Sequence, residues 1–470
     1  MKTLFLNLPN QYQLTRRYMC SYNSPLSLFP PLELISLAAI VEGMGDQAIL
    51  IDAIAEKINN NETFVKISTI LPNLIVSIVG FESYQEDIEI LNEIKFRFPE
   101  IKIAVIGHLP TTFYKETILH NGIDFIVLGE PDIRFKNFYT AFKTNTIDVS
   151  LRGVAFKIKS ECVCDPDVSR LKNIEELPMP AHHLLPNDAY FEPLLPRPMG
   201  MIQSTRGCPY SCTYCVKSFG TSLSVKSPED VVEEIKALIA VYGMKYLRFI
   251  DDTFTISSGR VIQICKLIIA ANIKIKWSCL SRTDNIKLEM LAWMKKAGCV
   301  RIYFGIESGS QKILDHYKKK TNINQAYEAL HMTANAGIET TGFFMMGFPE
   351  ETWDDALSTI EFAATANLTH VGVEPIIPYP GTPLFEQVKD EVDFSLFPYL
   401  CQWKNPAIKE QYEKAEKLFY RKFYLRPSYL VKNFMQYATH PQTAIPIIGR
   451  FAGFLANKTE NIMTGVYYKR

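Results

Sequence analysis

The strongest constraint on the fold is an alternation of short apolar runs with helical patterns, which occurs twice along the 470 residues. In the first series the runs are rich in Ile, Val and Leu, as expected of strands buried on both faces. Strands that alternate with helices form parallel sheets. We therefore predict an α/β fold whose first part, residues 1–140, is a doubly wound parallel sheet. Its predicted strands are Thr3–Leu8, Ala48–Asp52, Leu74–Gly80, Ile101–Gly107 and Asp124–Leu128.

The second series begins at Met199 and contains six β/α units, which predict a partial β/α barrel over residues 199–390. Residues 141–198 are predicted to be a connector, because their many prolines disfavour regular structure. Residues 391–470 show helical patterns without a strand series. The predicted barrel strands are Met201–Ser204, Tyr246–Ile250, Lys274–Ser278, Arg301–Phe304, Glu339–Met345 and His370–Pro375.

Charge and composition narrow the classes of partner. Lys plus Arg and Asp plus Glu both number 50, and nucleic-acid-binding domains usually carry a basic excess, so we expect no nucleic-acid partner. No run reaches the roughly 18 consecutive apolar residues that span a bilayer, and we expect a soluble, cytoplasmic protein. The 10 cysteines are too sparse for a disulfide scaffold in a chain of this length.

The most specific motif lies directly after the first predicted barrel strand. Cys208, Cys212 and Cys215 form a C-x3-C-x2-C sequence on one short loop. Three thiolates can converge on a soft metal centre, but a closed zinc site needs a fourth ligand. The next Cys or His after this loop is Cys265. Iron–sulfur clusters usually take four cysteines, so three would leave one iron open to a small ligand.

This spacing, placed after strand one of a β/α barrel, resembles the radical S-adenosylmethionine (SAM) enzymes. The resemblance implies that Cys208, Cys212 and Cys215 hold a 4Fe–4S cluster whose fourth iron binds SAM. An electron from the cluster then cleaves SAM to methionine and a 5′-deoxyadenosyl radical, which abstracts hydrogen from carbon.

Further strand-end residues fit the same resemblance, since active sites of β/α barrels lie at this edge. Asp251 follows the second strand, where the family places polar groups near the SAM amino group. Arg282 follows the third, and its fork geometry suits the SAM carboxylate. Glu307 and Ser308 follow the fourth and are candidates for the ribose or methionine end. Tyr214 occupies an aromatic position near the adenine, although packing alone would also explain it.

The doubly wound domain ahead of the barrel resembles the cobalamin-binding subclass. The resemblance rests on a helix start at Pro30-Pro31-Leu32 and on the Gly129-Glu130 pair after the last strand. The Asp-x-His-x-x-Gly signature is absent, which predicts a cobalt without that histidine ligand. A domain that only packs on the barrel remains the alternative. For His108, we favour a solvated loop histidine over a ligand of the cobalt.

A second cluster of the methylthiotransferase type is excluded, because residues 1–150 contain only Cys20. The expected function is therefore cobalamin-dependent radical SAM chemistry, with methylation of an unactivated carbon favoured. Oxidation or ring formation without methyl transfer, as in the anaerobic magnesium-protoporphyrin ester cyclase group, shares every motif. A non-catalytic corrinoid or SAM sensor is disfavoured by the intact cysteine loop. Expected partners are a small-molecule or lipid substrate and an electron donor such as flavodoxin or ferredoxin.

The C-terminal segment mixes aromatic and basic residues at Phe419–Pro427. A helix that packs its aromatics onto the barrel explains this pattern, and a nucleic-acid platform or a membrane-surface helix are the alternatives. Ile445–Leu455 is apolar but interrupted by Pro446, Gly449 and Gly453, so peripheral membrane contact is compatible with it and spanning is not.

Overall fold

The protein was analysed as a computed structural model that describes residues 1–18, 21–23, 27–166, 170–393, 402–427 and 429–431. Ile445–Leu455 therefore lies outside the described residues. No helix within the described ranges is long and apolar enough to cross a membrane.

The first sheet has seven strands, of which the first five are parallel, as the alternation predicts. Its spatial order is β2-β1-β3-β4-β5-β6-β7. The strands are β1 Lys2–Asn7, β2 Gln47–Asp52, β3 Leu74–Ile78, β4 Lys102–Ile106, β5 Phe125–Val127, β6 Val154–Ile158 and β7 Glu161–Val163. The helices of this part are α1 Leu32–Gly43, α2 Asn60–Ile70, α3 Tyr84–Arg97 and α4 Pro131–Thr144, with short helices at His108–Thr112 and Tyr114–Thr117.

Helices cover both faces of this sheet, which makes it doubly wound. One core combines α1 and α4 with strand residues such as Val76 and Val127, and the other combines α2 and α3 with residues such as Ile75 and Ile126. The alternation along each strand thus supplies two apolar faces. The β6–β7 hairpin pairs antiparallel to β5 and extends the sheet into the range predicted as connector. The predicted boundary at residue 140 falls inside α4.

The second sheet is parallel throughout and keeps its strands in chain order. The strands are β8 Met199–Ile202, β9 Tyr246–Phe249, β10 Lys276–Ser281, β11 Cys299–Glu307, β12 Glu339–Met346 and β13 His370–Pro375. In the described chain β8 and β13 do not pair, so the barrel is open. Its outer helices are α5 Pro228–Tyr242, α6 Ser258–Ala270, α7 Leu288–Lys296, α8 Ile323–Asn335 and α9 Trp353–Thr365, with short helices at Gln311–His316 and Pro383–Val388.

The described residues also contain three antiparallel pairs of short strands. They join Leu14–Arg16 to Ser21–Asn23, Thr205–Arg206 to Ser224–Val225, and Val392–Asp393 to Gln402–Trp403.

The last described helix, α10 Pro406–Tyr424, packs on the outer layer of the barrel. Phe419 and Phe423 are buried there, while Arg421 and Lys422 are exposed, as the packing interpretation predicts. Arg426 differs from these two basic residues, because its guanidinium donates to the carbonyls of Ala363 and Leu368 at the end of α9. A cation at a helix C-terminus is stabilising.

Candidate active site

The cysteine loop begins at a position that only glycine can occupy. Gly207 has φ +91°, and a Cβ there would lie 2.1 Å from the carbonyl oxygen of Ser222. The next residue, Cys208, donates its backbone N–H to the carbonyl of Gly220 at 2.9 Å. The loop is thereby fixed against the strand end, where a β/α barrel builds its active site.

All three cysteines of the loop are free thiols. Burial raises the pKa of the Cys215 thiol to about 12, and the neighbouring Cys212 adds to this effect. Burial also raises the pKa of Cys208. A cationic iron centre would reverse this preference, because metal coordination deprotonates thiols.

Within the described ranges, no group of three or more His, Cys, Asp or Glu side chains is arranged to hold a single metal ion, and the three thiols are no exception. A four-iron cluster binds each thiolate at a different iron, so its ligands need not meet at one point. The donor set therefore fits a cluster better than mononuclear zinc.

Arg282 lies beside this loop and is already engaged. Its Nε and Nη2 atoms donate to the carboxylate of Asp284 at 2.9 and 2.8 Å, and Nη2 also donates to the carbonyl of Lys319 at 2.7 Å. Its guanidinium stacks 3.7 Å from the ring centre of Tyr210, and Nη1 lies 3.9 Å from Cys212 Sγ. Burial alone would lower the pKa of Arg282, but Asp284 raises it. Arg282 therefore contacts the cysteine loop, and its role toward the SAM carboxylate stays a prediction.

Glu307 is strained and paired. It has φ +71°, which is costly for a residue with a side chain, and a register shift occurs between Gly305 and Glu307. Its Oε1 atom accepts from Lys319 Nζ at 2.7 Å. A Cβ on Gly305 would lie 2.6 Å from that oxygen, so the glycine leaves room for the pair.

Lys319 is a buried cation near the cysteine loop that sequence reasoning missed. Only 5% of it is exposed, whereas Lys318 and Lys320 on either side are exposed. The run of three lysines gives no signal for which one turns inward. Lys319 nevertheless lies near enough to influence Cys215 electrostatically, and it is a compact cation beside the cysteine loop.

Tyr214 is half-buried, and its hydroxyl oxygen is buried without a hydrogen-bond partner within the described part of the chain. Its ring centre lies 6.3 Å from those of Tyr317 and Phe348. Burial raises the pKa of Tyr214 far above its usual value, so the group is a neutral phenol. An orphaned polar atom next to the thiols is a position where a ligand would complete the hydrogen bonding.

Asp251 and Ser308 are placed differently from Tyr214. The carboxylate of Asp251 accepts from the backbone N–H groups of Ser204 and Thr205 at 2.6 and 3.0 Å and from the Ser204 hydroxyl. Ser308 is fully buried and its hydroxyl lies 3.1 Å from that of Thr359 on α9. Both side chains are therefore buried and hydrogen-bonded at the ends of strands, and their contact with SAM stays a prediction.

A buried ion pair joins the two halves of the molecule next to the cysteine loop. Arg206 Nη1 donates to Glu130 at 2.6 Å and to Asp132 at 2.7 Å, and all three residues are buried. Burial opposes the charge on Arg206, yet the two carboxylates raise its pKa. The Gly129-Glu130 pair that carries the resemblance to cobalamin proteins thus contacts the strand leading to Cys208.

The carboxyl end of the first sheet contains a closed polar network. Arg16 donates to both carboxylate oxygens of Asp87 at 2.7 and 3.2 Å and to Asn7 Oδ1 at 3.0 Å. Asn7 donates to Asp52 at 2.8 Å, and the Tyr190 hydroxyl donates to the same carboxylate at 2.7 Å. Each of these buried groups is satisfied within the protein.

The strand ends of the two sheets face each other. His108 Nε2 lies 2.9 Å from the carbonyl oxygen of Pro380, so this imidazole is engaged by the loop after β13. In the same loop, the Tyr379 hydroxyl donates to Glu82 at 3.0 Å and its ring lies 4.7 Å from that of Phe81. Loops at the ends of the first sheet and of the barrel are thereby in direct contact.

Comparison with known proteins agrees with this geometry. The profile of the Radical SAM superfamily matches residues 202–363. A protein named as an uncharacterized methyltransferase of Pyrococcus horikoshii is 31% identical over 427 residues, which cover 87% of this chain and 90% of that protein. The anaerobic magnesium-protoporphyrin IX monomethyl ester cyclase of Cereibacter sphaeroides is 26% identical, over 80% of this chain but only 64% of the cyclase.

Among solved structures, the radical SAM methyltransferase TsrM of Kitasatospora setae, determined with cobalamin and a [4Fe-4S] cluster bound, matches with a TM-score of 0.65. The match covers 83% of this chain and 74% of TsrM at 17% identity, so it establishes a shared fold.

Proposed function

From the premise that the chain belongs to the radical SAM superfamily, we propose that it is a cobalamin-dependent enzyme that methylates an unactivated carbon of a small molecule or lipid. The observation that carries the proposal is the cysteine loop, which presents three free thiols at the barrel end facing the first sheet. A 4Fe–4S cluster and SAM, when bound, supply the reducing electron and the radical precursor of this superfamily.

The side chains around the loop have distinct tasks in this proposal. Arg282 holds Tyr210 of the loop and keeps a positive charge 3.9 Å from the Cys212 sulfur. Lys319 and the strained Glu307 provide a cation and a carboxylate suited to the carboxylate and hydroxyl or amino groups of SAM. Tyr214 retains an unsatisfied hydroxyl for a ligand. Asp251 and Ser308 are hydrogen-bonded at strand ends, and their contact with SAM stays a prediction.

In this proposal cobalamin lies between the strand ends of the two sheets. Three strands of the first sheet are followed by glycines, namely Gly80, Gly107 and Gly129, and a residue without a side chain lets a ligand approach the backbone closely. The ring of His108 is held by Pro380, so we expect a cobalt without a histidine from this loop. The likeness to a fold solved with cobalamin supports the proposal. In this position the corrin would supply the methyl-carrying chemistry.

The first experiment measures iron and cobalt per chain after anaerobic reconstitution with cobalamin. About four irons and one cobalt are expected, the content of one 4Fe–4S cluster and one corrin. Iron without cobalt would leave a radical SAM enzyme and overturn the cobalamin assignment.

A second candidate is radical oxidation or ring formation without methyl transfer, which the 26% identity to the ester cyclase favours. SAM carrying a labelled methyl group distinguishes the two. If methyl transfer occurs, label enters a carbon of the product in a small-molecule extract incubated with the enzyme and a reductant such as flavodoxin. If the reaction resembles that of the cyclase, label remains in spent SAM products. A non-catalytic sensor would produce neither 5′-deoxyadenosine nor labelled product.

A further inference from the structure

The concave face of the open barrel carries an aromatic surface that the cofactor assignments leave unused. Phe344 on β12 and Phe304 on β11 belong to the core beneath the outer helices. Successive side chains of a strand point to opposite faces, so Phe343 and Tyr303 point to the concave side. This is the side enclosed by the first domain, and it is where a substrate would lie.

Four groups form a continuous stack across this face. The guanidinium of Arg248 lies 4.7 Å from the ring centre of Phe29, which comes from the first domain, and 4.2 Å from that of Tyr303. The Tyr303 and Phe343 rings follow at 5.8 Å with an interplanar angle of 12°. Phe29 and Tyr303 are each only 5% exposed, but Phe343 is 38% exposed. The stack therefore ends in an aromatic side chain with a large accessible surface.

Glycines flank Phe343 on both neighbouring strands. Its register partners are Gly305 on β11 and Gly372 on β13. A Cβ on Gly372 would lie 3.3 Å from the Phe343 ring, so even alanine would crowd it. The absence of a side chain at Gly372 keeps the ring accessible on that side, while the space beside Gly305 holds the Glu307–Lys319 pair.

A carboxylate lies on the same face of the adjoining strand. Glu374 alternates with Val373, which belongs to the outer core, so it shares the concave side with Phe343. It is exposed, and the described residues give it no hydrogen bond or ion pair. Although part of the side chain is accessible, the surrounding protein desolvates the carboxyl, and together with the nearby carboxylates Glu416 and Glu82 this raises its pKa well above its usual value. A donor group or a cation from a ligand would relieve that cost.

We propose that Phe343 and Glu374 form the substrate platform, and that the substrate carries a flat conjugated ring system with a hydrogen-bond-donating nitrogen. The ring extends the Phe29–Arg248–Tyr303–Phe343 stack, and the nitrogen donates to Glu374. Offset stacking on an accessible ring gives selectivity for planar groups over saturated ones of similar volume. This inference rests on the proposed function, since it assigns the substrate class of the same barrel.

The test uses the full, anaerobically reconstituted chain and two probes, 2-naphthylmethylamine and its saturated decahydro analogue, with binding measured by equilibrium dialysis. The aromatic amine should bind more tightly. Phe343→Leu should weaken it about three- to tenfold while leaving the saturated amine unchanged, because stacking is lost and apolar volume is kept. Phe343→Trp should restore the preference, and Glu374→Gln should weaken both amines.

Phe96→Leu is the matched control, because Phe96 is 83% exposed on α3, outside the barrel. Equal binding of the two amines, or an unchanged preference in Phe343→Leu, would overturn the proposal. If S-adenosylhomocysteine displaces the aromatic probe in a 1:1 ratio, the Phe343 ring is assigned to adenine binding, and the substrate proposal is overturned. Iron content and SAM cleavage, measured on the same preparations, report separately on the proposed function.

Discussion

The molecule contains two parallel sheets whose carboxyl ends face each other, and these ends are built in opposite ways. At the first sheet, Arg16, Asn7, Asp52 and Asp87 satisfy one another, and the network is closed by Tyr190. At the barrel, unsatisfied buried atoms include the Tyr214 hydroxyl, Asn285 Nδ2 and Glu351 Oε1, next to three free thiols. Unsatisfied buried atoms occur in the first domain as well, at Thr15, Glu33 and Glu86, so the two ends differ in the free thiols and in the closed ion-pair network.

This difference separates the roles of the two sheets. Buried polar groups without partners are costly, so the unsatisfied Tyr214 hydroxyl in the cysteine loop marks a position that a ligand would complete. The first sheet offers a ligand mainly backbone and shape, and it is tied to the cysteine loop through the Arg206 ion pairs. We therefore expect damage at the barrel end to remove chemistry and damage at the first sheet to remove stability.

The largest expected effect is that of Cys212→Ala. It removes one cluster ligand, so 5′-deoxyadenosine formation should fall to background and the iron content should drop, while the melting temperature of the first domain stays close to that of the parent. Cys164→Ala is the control, since Cys164 is a free thiol on the β6–β7 side of the first sheet. Persistent SAM cleavage in Cys212→Ala would remove the radical mechanism.

Arg16→Met tests the polar network at the carboxyl end of the first sheet. The substitution leaves Asp87 buried without its ion pair, and breaking a buried pair costs about 3–5 kcal/mol of stability. Denaturant unfolding should show this loss, whereas SAM cleavage per folded molecule should match the parent. Arg97→Met, which removes an exposed pair with Glu93, should cost less than about 1 kcal/mol. If Arg16→Met folds but does not cleave SAM, the first sheet contributes to the chemistry, and the separation of roles between the two sheets is wrong.

Lys319→Met is expected to act on SAM binding. Loss of a hydrogen-bonding cation is worth about 1.5–3 kcal/mol, which corresponds to roughly 10- to 100-fold weaker binding of SAM. Iron content should not change, because Lys319 ligates no iron in the proposal. Lys320→Met, one residue away and exposed, is the matched control. Equal SAM affinity in the two variants would remove Lys319 from the site.

The sequence was sufficient to predict the elements whose identity depends on local pattern. All five strands predicted for the first series and all six for the barrel are present. In the first series they are short runs rich in Ile, Val and Leu, as is typical of strands buried on both faces. The cysteine loop was predictable because its spacing is local. The ends of elements differ by a few residues, as at β8, which spans Met199–Ile202 instead of Met201–Ser204.

Contacts between distant residues were not predictable. Arg282 lies at the expected strand end, but its guanidinium also donates to the carbonyl of Lys319, 37 residues away. Asp251 lies at the expected strand end too, yet its carboxylate turns to Ser204, 47 residues away. Which of two polar partners a strand-end side chain meets depends on how loops pack, and residue type does not encode this.

The last prediction concerns Glu351 at the barrel end. Within the described part of the chain, only one oxygen of this carboxylate has a hydrogen-bond partner, so the residue tests the difference between the strand ends of the two sheets. Oε2 accepts from Gly347 N–H at 2.7 Å, and Oε1 has no partner within the described residues. Burial raises the pKa of Glu351 from 4.5 to about 7. The folded state therefore binds more protons than the unfolded state between these values, and stability falls as pH rises through that window.

Glu351→Gln keeps an acceptor for Gly347 and cannot ionise. Relative to the parent, it should gain stability steadily from about pH 4.5 to 7, by no more than about 3 kcal/mol, and then stay constant. Urea unfolding at pH 5 and pH 8 measures this difference, with exposed Glu361→Gln on α9 as the control. If the pH dependence of Glu351→Gln equals that of the parent, Oε1 is satisfied in solution, and the contrast between the two strand ends narrows to the thiols and Tyr214.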